Sequence, residues 1–340
     1  MTSDKARNRE LQLNRLSKKT LNFFMWVFRY ALIVTLAFMI LYPVTRMIHN
    51  SIAYPRVVGM TGSMWVPAMI SFDNFRVALA VMDWQSSLPF TMMNVTVIML
   101  LQMFSAALAG YAFARLKFRG MGIIFILVLL TFVIPSRFLF LPQGVLFRSF
   151  DPLGLFSFFG NGPIVLFGRP MALFLMSGLG MGIAGGLFIY IFRQFFRGLP
   201  KELEEAAYVD GSGVLRSFFT IVLPMAKPAF LTVGTLSFIW NWTDPHFFAQ
   251  FNPDLRFMSL RIQTFDLITG GTPRIHQYMG MARTAGRLSI DVTTLPPGNP
   301  AYDAALMSAS TFVSIIPLII LFLIVQKQFV QGVERSGIVG

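Results

Sequence analysis

The sequence predicts an all-α integral membrane protein with about six transmembrane helices, and three observations carry that expectation. Of its 340 residues 55% are hydrophobic and only 13% are charged. A soluble domain of this size could not cover so much apolar surface, 37 phenylalanines included. The apolar residues gather into runs long enough to cross a hydrocarbon core of about 30 Å, which takes roughly 20 helical residues. The lysines and arginines collect between those runs, where they set topology.

A polar, basic segment, residues 1–23, comes first. The run that follows, 24–47, has the length of a full span and no small-residue cleavage pattern, so an uncleaved first helix is expected rather than a signal peptide. Further spans are expected at 90–112, 121–142, 171–193, 228–249 and 304–326. The third carries Pro135 and Arg137 near its end; proline is tolerated in a span where neighbouring helices satisfy the freed carbonyl. The membrane core then occupies 90–327, followed by a tail at 328–340.

An even number of spans puts both termini on one side. That side would hold Lys5, Arg7, Arg9, Arg15, Lys18, Lys19 and Arg29, then Arg115, Lys117 and Arg119. It would also hold Arg193, Arg197, Lys201, Arg216, Lys227, Lys327 and Arg335, so that it carries most of the 28 basic residues, on the shorter segments. Cytoplasmic termini follow. Segments 48–89, 143–170 and 250–303 are then external, and 194–227 is a cytoplasmic loop. The loop 250–303 is long and rich in turn formers, among them Gly270-Gly271-Thr272-Pro273 and Leu295-Pro296-Pro297-Gly298. It suits either a solvated linker or a partner-binding surface.

Composition excludes several kinds of chemistry. With no cysteine, disulfides, thiol catalysis and cysteine-ligated zinc are impossible. The three histidines, His49, His246 and His276, are too scattered for a metal cluster. A net charge of +13 would point to nucleic acid in a soluble protein, but no spaced aromatic platform accompanies it, and no nucleic-acid partner is expected. No Gly-x-x-x-x-Gly-Lys-Ser/Thr loop is present to cradle a nucleotide. An intramembrane enzyme would need a Ser/His pair, a metal-ligand cluster or paired acids within the spans, and none is evident. An ion- or proton-coupled secondary transporter, the alternative function, would predict acidic residues inside spans and an inverted repeat. Neither is evident, and Asp244 and His246, beside Pro245 at the end of a span, suit a solvated or hydrogen-bonded position.

The loop 194–227 holds the densest local signals. Pro200 to Asp210 suits a short helix, with proline in its first turn. Glu202, Glu204 and Glu205 lie near the positive end of its dipole, and Gly211 stands where a helix stops in a left-handed residue. Leu203, Ala206, Ala207 and Asp210 share one face, made shallow by the alanines. A second short helix at about 214–222 carries Phe218, Phe219, Ile221 and Val222, and Leu223-Pro224 is expected to end it before the next span. From these residues, an amphipathic loop on the membrane surface and a docking element are both open.

Glu205-Ala206-Ala207, Asp210-Gly211 and Ile221-x-Leu223-Pro224 resemble the EAA loop of bacterial ABC importer permeases. Other elements resemble the carbohydrate-uptake permeases similar to the maltose transporter's smaller membrane subunit. These are Phe72-Asp73-Asn74-Phe75, Asn94 at the start of the second span, the run from Gly110 to Gly120, Trp240-Asn241, and the run from Gln326 to Gly332. Together they cover most of residues 70–340. The tail departs from the family's Gly-x-x-Lys-Gly, with Val339 where the lysine would stand.

The resemblance implies a type I ABC importer permease fold in a bacterial or archaeal cytoplasmic (inner) membrane. It implies a second permease subunit, two ATPase subunits and an extracellular or periplasmic solute-binding protein as partners, besides membrane lipid. No cofactor would sit in this chain; ATP and Mg would bind the ATPases. The chain would be a transport subunit for sugars or oligosaccharides, without catalytic or metal-ligating residues of its own, that converts ATPase closure into alternating access. Coupling would fall to Glu205, Ala206, Ala207, Asp210, Gly211, Leu223 and Pro224. Asn94, Trp240, Asn241 and Trp242 are candidates for the translocation path, with helix packing or interface anchoring the plainer role for each. Tyr111, Arg115, Lys117 and Arg119 either anchor the second span by the positive-inside rule or contact the ATPase or the EAA loop.

Overall fold

A computed structural model describes residues 2–54, 66–67, 69–134, 136–160, 162–254, 256–265, 274–286 and 300–337. Within its helices the side chains of residues 2–20, 136–137, 140, 263–265, 274–278, 300–301 and 328–337 are outside the description, as are the turn signals at 270–273 and 295–298 and residue Val339.

The described residues are predominantly helical. α1 (Thr2–Ile52) joins the basic N-terminal segment and the first apolar run into one helix. α2 (Asp73–Val81) precedes α3 (Trp84–Arg115). Then come α4 (Met121–Val133), α5 (Ser136–Arg148), the single turn α6 (Leu155–Phe158), α7 (Pro170–Gly178) and α8 (Gly185–Arg197). α9 (Glu202–Val209), α10 (Val214–Ser217), a π-helical turn (Phe218–Val222) and α11 (Leu223–Met225) lead into α12 (Lys227–Thr243). α13 (Pro245–Phe251), α14 (Met258–Phe265), α15 (Arg274–Thr284) and α16 (Pro300–Gly337) complete it. Among the described residues the only extended pairing is two isolated bridges, Ala53 with Ile70 and Phe150 with Ile164.

Among the described residues three helical stretches are long and apolar enough to cross a membrane: Leu21–Ile52 of α1, α3, and Tyr302–Lys327 of α16. A fourth arises if Val214–Met225 and α12 are taken together through a bend of 76°. The other apolar runs are broken, for local reasons. Ile134 precedes a proline, which disfavours helical geometry before it, and its ψ of 123° ends α4 there. The run 171–193 divides between α7 and α8, where Gly180 and Ala184 adopt positive φ values of 76° and 54°. The run 228–249 breaks at Asp244, whose carboxylate accepts from the backbone N–H groups of His246 at 2.7 Å and Phe247 at 2.9 Å, so it starts α13 as an N-cap.

Two compact units divide the chain. The first comprises residues 1–75 and 299–312. In it Asn74, fully buried, donates from Nδ2 to the carbonyls of Ser51 at 3.2 Å and Ala53 at 2.8 Å. These are carbonyls that the end of α1 leaves without helical partners, which gives the Phe72–Phe75 element a physical task. The apolar side chains of α1 from Leu21 to Leu41 are exposed.

The second unit comprises residues 76–298 and 313–340. α3 is its axis, packed along α8, α7 and α12, with α4 against α8. Lipid tails are as apolar as leucine, so helices in a membrane associate through close packing and buried polar contacts rather than by escaping water. Ala106, Ala107 and Gly110 give α3 a face of small residues that receives Phe188, Phe192 and Phe196 of α8. At Gly110 the approach is so close that a Cβ would stand 2.6 Å from the Phe192 Cβ.

Candidate functional site

The loop from the end of α8 to the start of α12 is built by its own sequence signals. Three glutamates occupy the first turn of α9, as the helix dipole favours. At its end Gly211 takes φ 82°, the Gly211 N–H donates to the Tyr208 carbonyl at 3.0 Å, and the Ser212 N–H to the Ala207 carbonyl at 2.9 Å. That pair of bonds is a Schellman stop, which satisfies the last carbonyls of the helix.

The second half of the loop differs from the expectation. Leu223-Pro224 does not end the helix; the chain turns at Ala226, with Pro228 in the first turn of α12. Proline has no N–H to continue an α-helical ladder, and the π-helical turn Phe218–Val222 just before it absorbs the mismatch. The sharp bend is thereby moved to the Ala226–Lys227 junction.

Within this chain α9 buries a different face from the shallow alanine face read in the sequence. Glu205, Ala206 and Asp210 are exposed, together with Leu203 and with Val209 at 88%. Ala207 is buried, and so is Glu204, at 5% exposure. The Tyr111 hydroxyl of α3 donates to Glu204 Oε2 at 2.9 Å. Arg115 Nε lies 2.7 Å from Glu204 Oε1 in an ion pair with both side chains 7% exposed. The same guanidinium donates from Nη2 to the Leu199 carbonyl at 2.8 Å. Of the two roles open for Tyr111 and Arg115, the structure places both against the loop. The helical phase of Glu204 depends on partners 93 positions away in the case of Tyr111, so no local signal separated it from Glu202 and Glu205.

A second polar cluster lies within the apolar helices. Gln102 of α3 donates from Nε2 to the Ile183 carbonyl at 3.2 Å, in the break between α7 and α8. Its Oε1 accepts from the Ser237 hydroxyl and from Asn241 Nδ2, the latter at 3.0 Å, both on α12. Ser105 donates to the Ser177 carbonyl at 3.0 Å. One amide thus ties together three elements, and Gln102 is 2% exposed. Polar side chains at this depth face protein or a water path, and here they face one another. Sequence reading named Asn241 but not Gln102 or Ser237; a lone glutamine in an apolar run was the available signal.

The other candidates lie on the same two helices, α3 and α12. Asn94 is fully buried and donates to the Phe90 carbonyl at 2.8 Å, leaving its Oδ1 without a partner among the described residues. Trp240 is half-buried and stacks on Phe188 with ring centroids 5.6 Å apart. Trp242 is buried, stacks on Phe238, and donates from Nε1 to the Ser314 carbonyl at 3.0 Å. A cavity of about 150 Å³ opens between Thr131, Gln143, Met176, Gly182, Asp244 and Phe247.

Beyond the end of α12, Arg256 forms a side-chain pair with Asp254, with distances of 2.6–3.1 Å, and its guanidinium stands 4.0 Å over the Phe90 ring. The Arg256 pairing holds the Asp254 carboxyl below the usual carboxylate range, against a smaller opposing effect of burial. Among the described residues no group of three or more His, Asp or Glu side chains is arranged to hold a metal.

Residues 106–335 match the family model described as binding-protein-dependent transport system inner membrane component. The chain is 27% identical over 284 residues to the melibiose/raffinose/stachyose import permease protein MelC of Bacillus subtilis, covering 83% of this chain and 86% of that one. It is 26% identical over 277 residues to the trehalose transport system permease protein SugB of Mycobacterium tuberculosis, covering 81% and 84%. A solved structure of a bacterial ABC transporter involved in the import of the acidic polysaccharide alginate aligns with a TM-score of 0.65 at 19% identity, over 90% of this chain and 96% of that chain. That likeness is one of fold.

Proposed function

Because the chain belongs to the binding-protein-dependent transport system inner membrane component family, we propose that it is the permease subunit of an ABC importer for sugars or oligosaccharides. The observation that carries the reading is the family match over 106–335, which contains the α9 loop and the Ser237 and Asn241 side of the buried polar cluster. The carbohydrate class rests on the relatives, which are permeases for melibiose, raffinose and stachyose and for trehalose.

In this reading the apolar runs form six spans, three of them broken, with both termini cytoplasmic. The domain limits are those expected from the sequence: a basic segment at 1–23, a first span at 24–47, an external loop at 48–89, and a core at 90–327. The core includes the cytoplasmic loop 194–227 and the external loop 250–303, and the tail is 328–340. The bilayer is a bacterial or archaeal cytoplasmic membrane. The partners are a second permease, two ATPases that carry ATP and Mg, and a solute-binding protein.

The exposed side of α9, with Glu205, Ala206 and Asp210, is the surface for an ATPase, with Ala207 packed behind it. Gly211 ends that helix, and Leu223 and Pro224 lead the motion into the bend before α12. Alternating access then shifts the pathway as the ATPases close and open. Asn94, Trp240, Asn241 and Trp242 border the translocation path, and their contacts with α3, α8 and α16 position that border.

Reconstitution with the partner subunits in proteoliposomes tests the reading. Uptake of labelled oligosaccharide should require ATP and the binding protein. Uptake driven by an ion gradient without ATPase subunits would reject it in favour of a secondary transporter.

A further inference from the structure

We infer that Glu204 is the positioning residue through which the loop helix acts on the second span: its carboxylate, gripped by Tyr111 and Arg115, is the mechanical joint between α9 and α3. The inference rests on the proposed docking of an ATPase to the outer face of α9, and it concerns the opposite face.

Both carboxylate oxygens are engaged. Oε2 accepts the Tyr111 hydroxyl and Oε1 faces Arg115 Nε. Arg115 also holds the Leu199 carbonyl just ahead of α9, so the loop is fastened to the end of α3 at two points five residues apart in sequence. The Tyr111 ring packs against Phe218 of the π-helical turn, with centroids 4.8 Å apart, and edge-on against Phe196 of α8 at 5.9 Å. One tyrosine therefore touches the element before α9, α9 itself, and the element that leads into α12. A push on α9 is delivered to the end of α3 and to the root of α12 together.

A buried ion pair is a poor device for stability, since apolar residues of equal volume often serve as well or better. Its particular property is direction: the pair holds only while carboxylate and guanidinium keep their register, which suits a joint that must move α3 and α9 as one piece. Ala207, the other inward residue of α9, supplies packing without such a constraint. The neighbouring Glu205 is exposed, so two adjacent glutamates take different tasks, the outer at the partner surface and the inner at the joint.

The test uses the assembled importer with its partner permease, ATPases and binding protein in proteoliposomes. Glu204→Gln, Arg115→Gln and the double variant are compared for ATPase co-purification and for the ratio of binding-protein-stimulated to basal hydrolysis. Co-purification should persist in Glu204→Gln while the ratio falls about tenfold, and the double variant should be no worse than about twofold below the poorer single one, as residues acting as one unit behave. An unchanged ratio in Glu204→Gln, or a double-variant loss equal to the product of the single losses, would overturn the joint.

If Glu204→Gln fails to assemble, Tyr111→Phe decides, because it removes only a hydroxyl: a drop of about threefold in the ratio supports the joint, and an unchanged ratio rejects it. Glu205→Arg separates the two readings. If that variant keeps its ATPases bound, the docking surface is wrong, while the Glu204 ratio still reports on the inner face.

Discussion

Asn241 Nδ2 lies 3.0 Å from Gln102 Oε1, a contact across 139 positions of sequence. It closes a node in which a single amide serves α3, α12 and the break between α7 and α8. Apolar packing in a bilayer specifies helix partners weakly, and a polar contact of this kind fixes register. Gln102→Leu removes the node's centre and leaves the Ser237 hydroxyl, the Asn241 amide and the Ile183 carbonyl without it. The expected loss is about 2 kcal/mol, given about 1 kcal/mol for a typical interhelical bond and the cost of stranded partners. Thermal unfolding in detergent measures it, and Gln102→Leu with Asn241→Leu should lose less than the sum of the two single losses. Strict additivity would show that the node does not act as a unit.

Asn74 makes a comparable prediction in the first unit. Asn74→Ala strips the donor from the Ser51 and Ala53 carbonyls at the end of α1. Unsatisfied buried carbonyls cost about 1–3 kcal/mol. Amide exchange at residues 49–53 should accelerate by about fivefold or more, the factor that corresponds to 1 kcal/mol. Unchanged protection there would show that the side chain is dispensable as a cap.

Gly211 tests the stop of the loop helix. Its φ of 82° is open to glycine, and a Cβ there meets nothing within 4 Å. Gly211→Ala therefore carries backbone strain of about 1 kcal/mol without a clash. Gly211→Asn should cost less, because asparagine tolerates the left-handed region. Exchange within 202–211 should rank alanine above asparagine above glycine; equal rates would remove the stop from the account.

Asp254 gives a pH dependence. Pairing with Arg256 holds its folded pKa below the ordinary carboxylate range. A depressed carboxylate pKa contributes stability that is present above the unfolded pKa and lost as pH falls through the folded one. The Asp254–Arg256–Phe90 contact should therefore be unchanged between pH 7 and pH 5 and loosen only below about pH 4, near the unperturbed carboxylate value. Intrinsic-rate-corrected exchange at residues 256–261 follows it, and Asp254→Asn should show the loosened state already at pH 7. Loosening between pH 7 and pH 5 in the unmodified chain would contradict the assignment.

Much of this was legible in the sequence, because hydropathy and capping are local. The apolar runs, the start of α9 among its glutamates and the glycine that stops it all follow from neighbouring residues. The breaks were less legible: a run such as 171–193 is apolar throughout, and only the backbone angles at Gly180 and Ala184 show that it divides. Least legible was which side of α9 this chain buries. Leu203, Ala206, Ala207 and Asp210 share a face by spacing, and spacing alone says nothing of Glu204, which is buried because Tyr111 and Arg115 stand there to receive a carboxylate. Likewise Leu223-Pro224 signals a stop, and the π-helical turn before it carries the helix on to Met225.

The central claim, that the outer face of α9 is where an ATPase engages this permease, is tested most directly by a single cysteine. The chain has none, and Ala206 is exposed, so Ala206→Cys introduces one unique thiol. In the assembled importer a short bifunctional thiol reagent should join Cys at this position to an ATPase subunit bearing an introduced surface cysteine, with a yield that changes between nucleotide-free and ATP-bound states. In intact cells the same thiol should be shielded from an impermeant external maleimide. External labelling of Ala206→Cys, or no ATPase crosslink in any nucleotide state, would contradict the account.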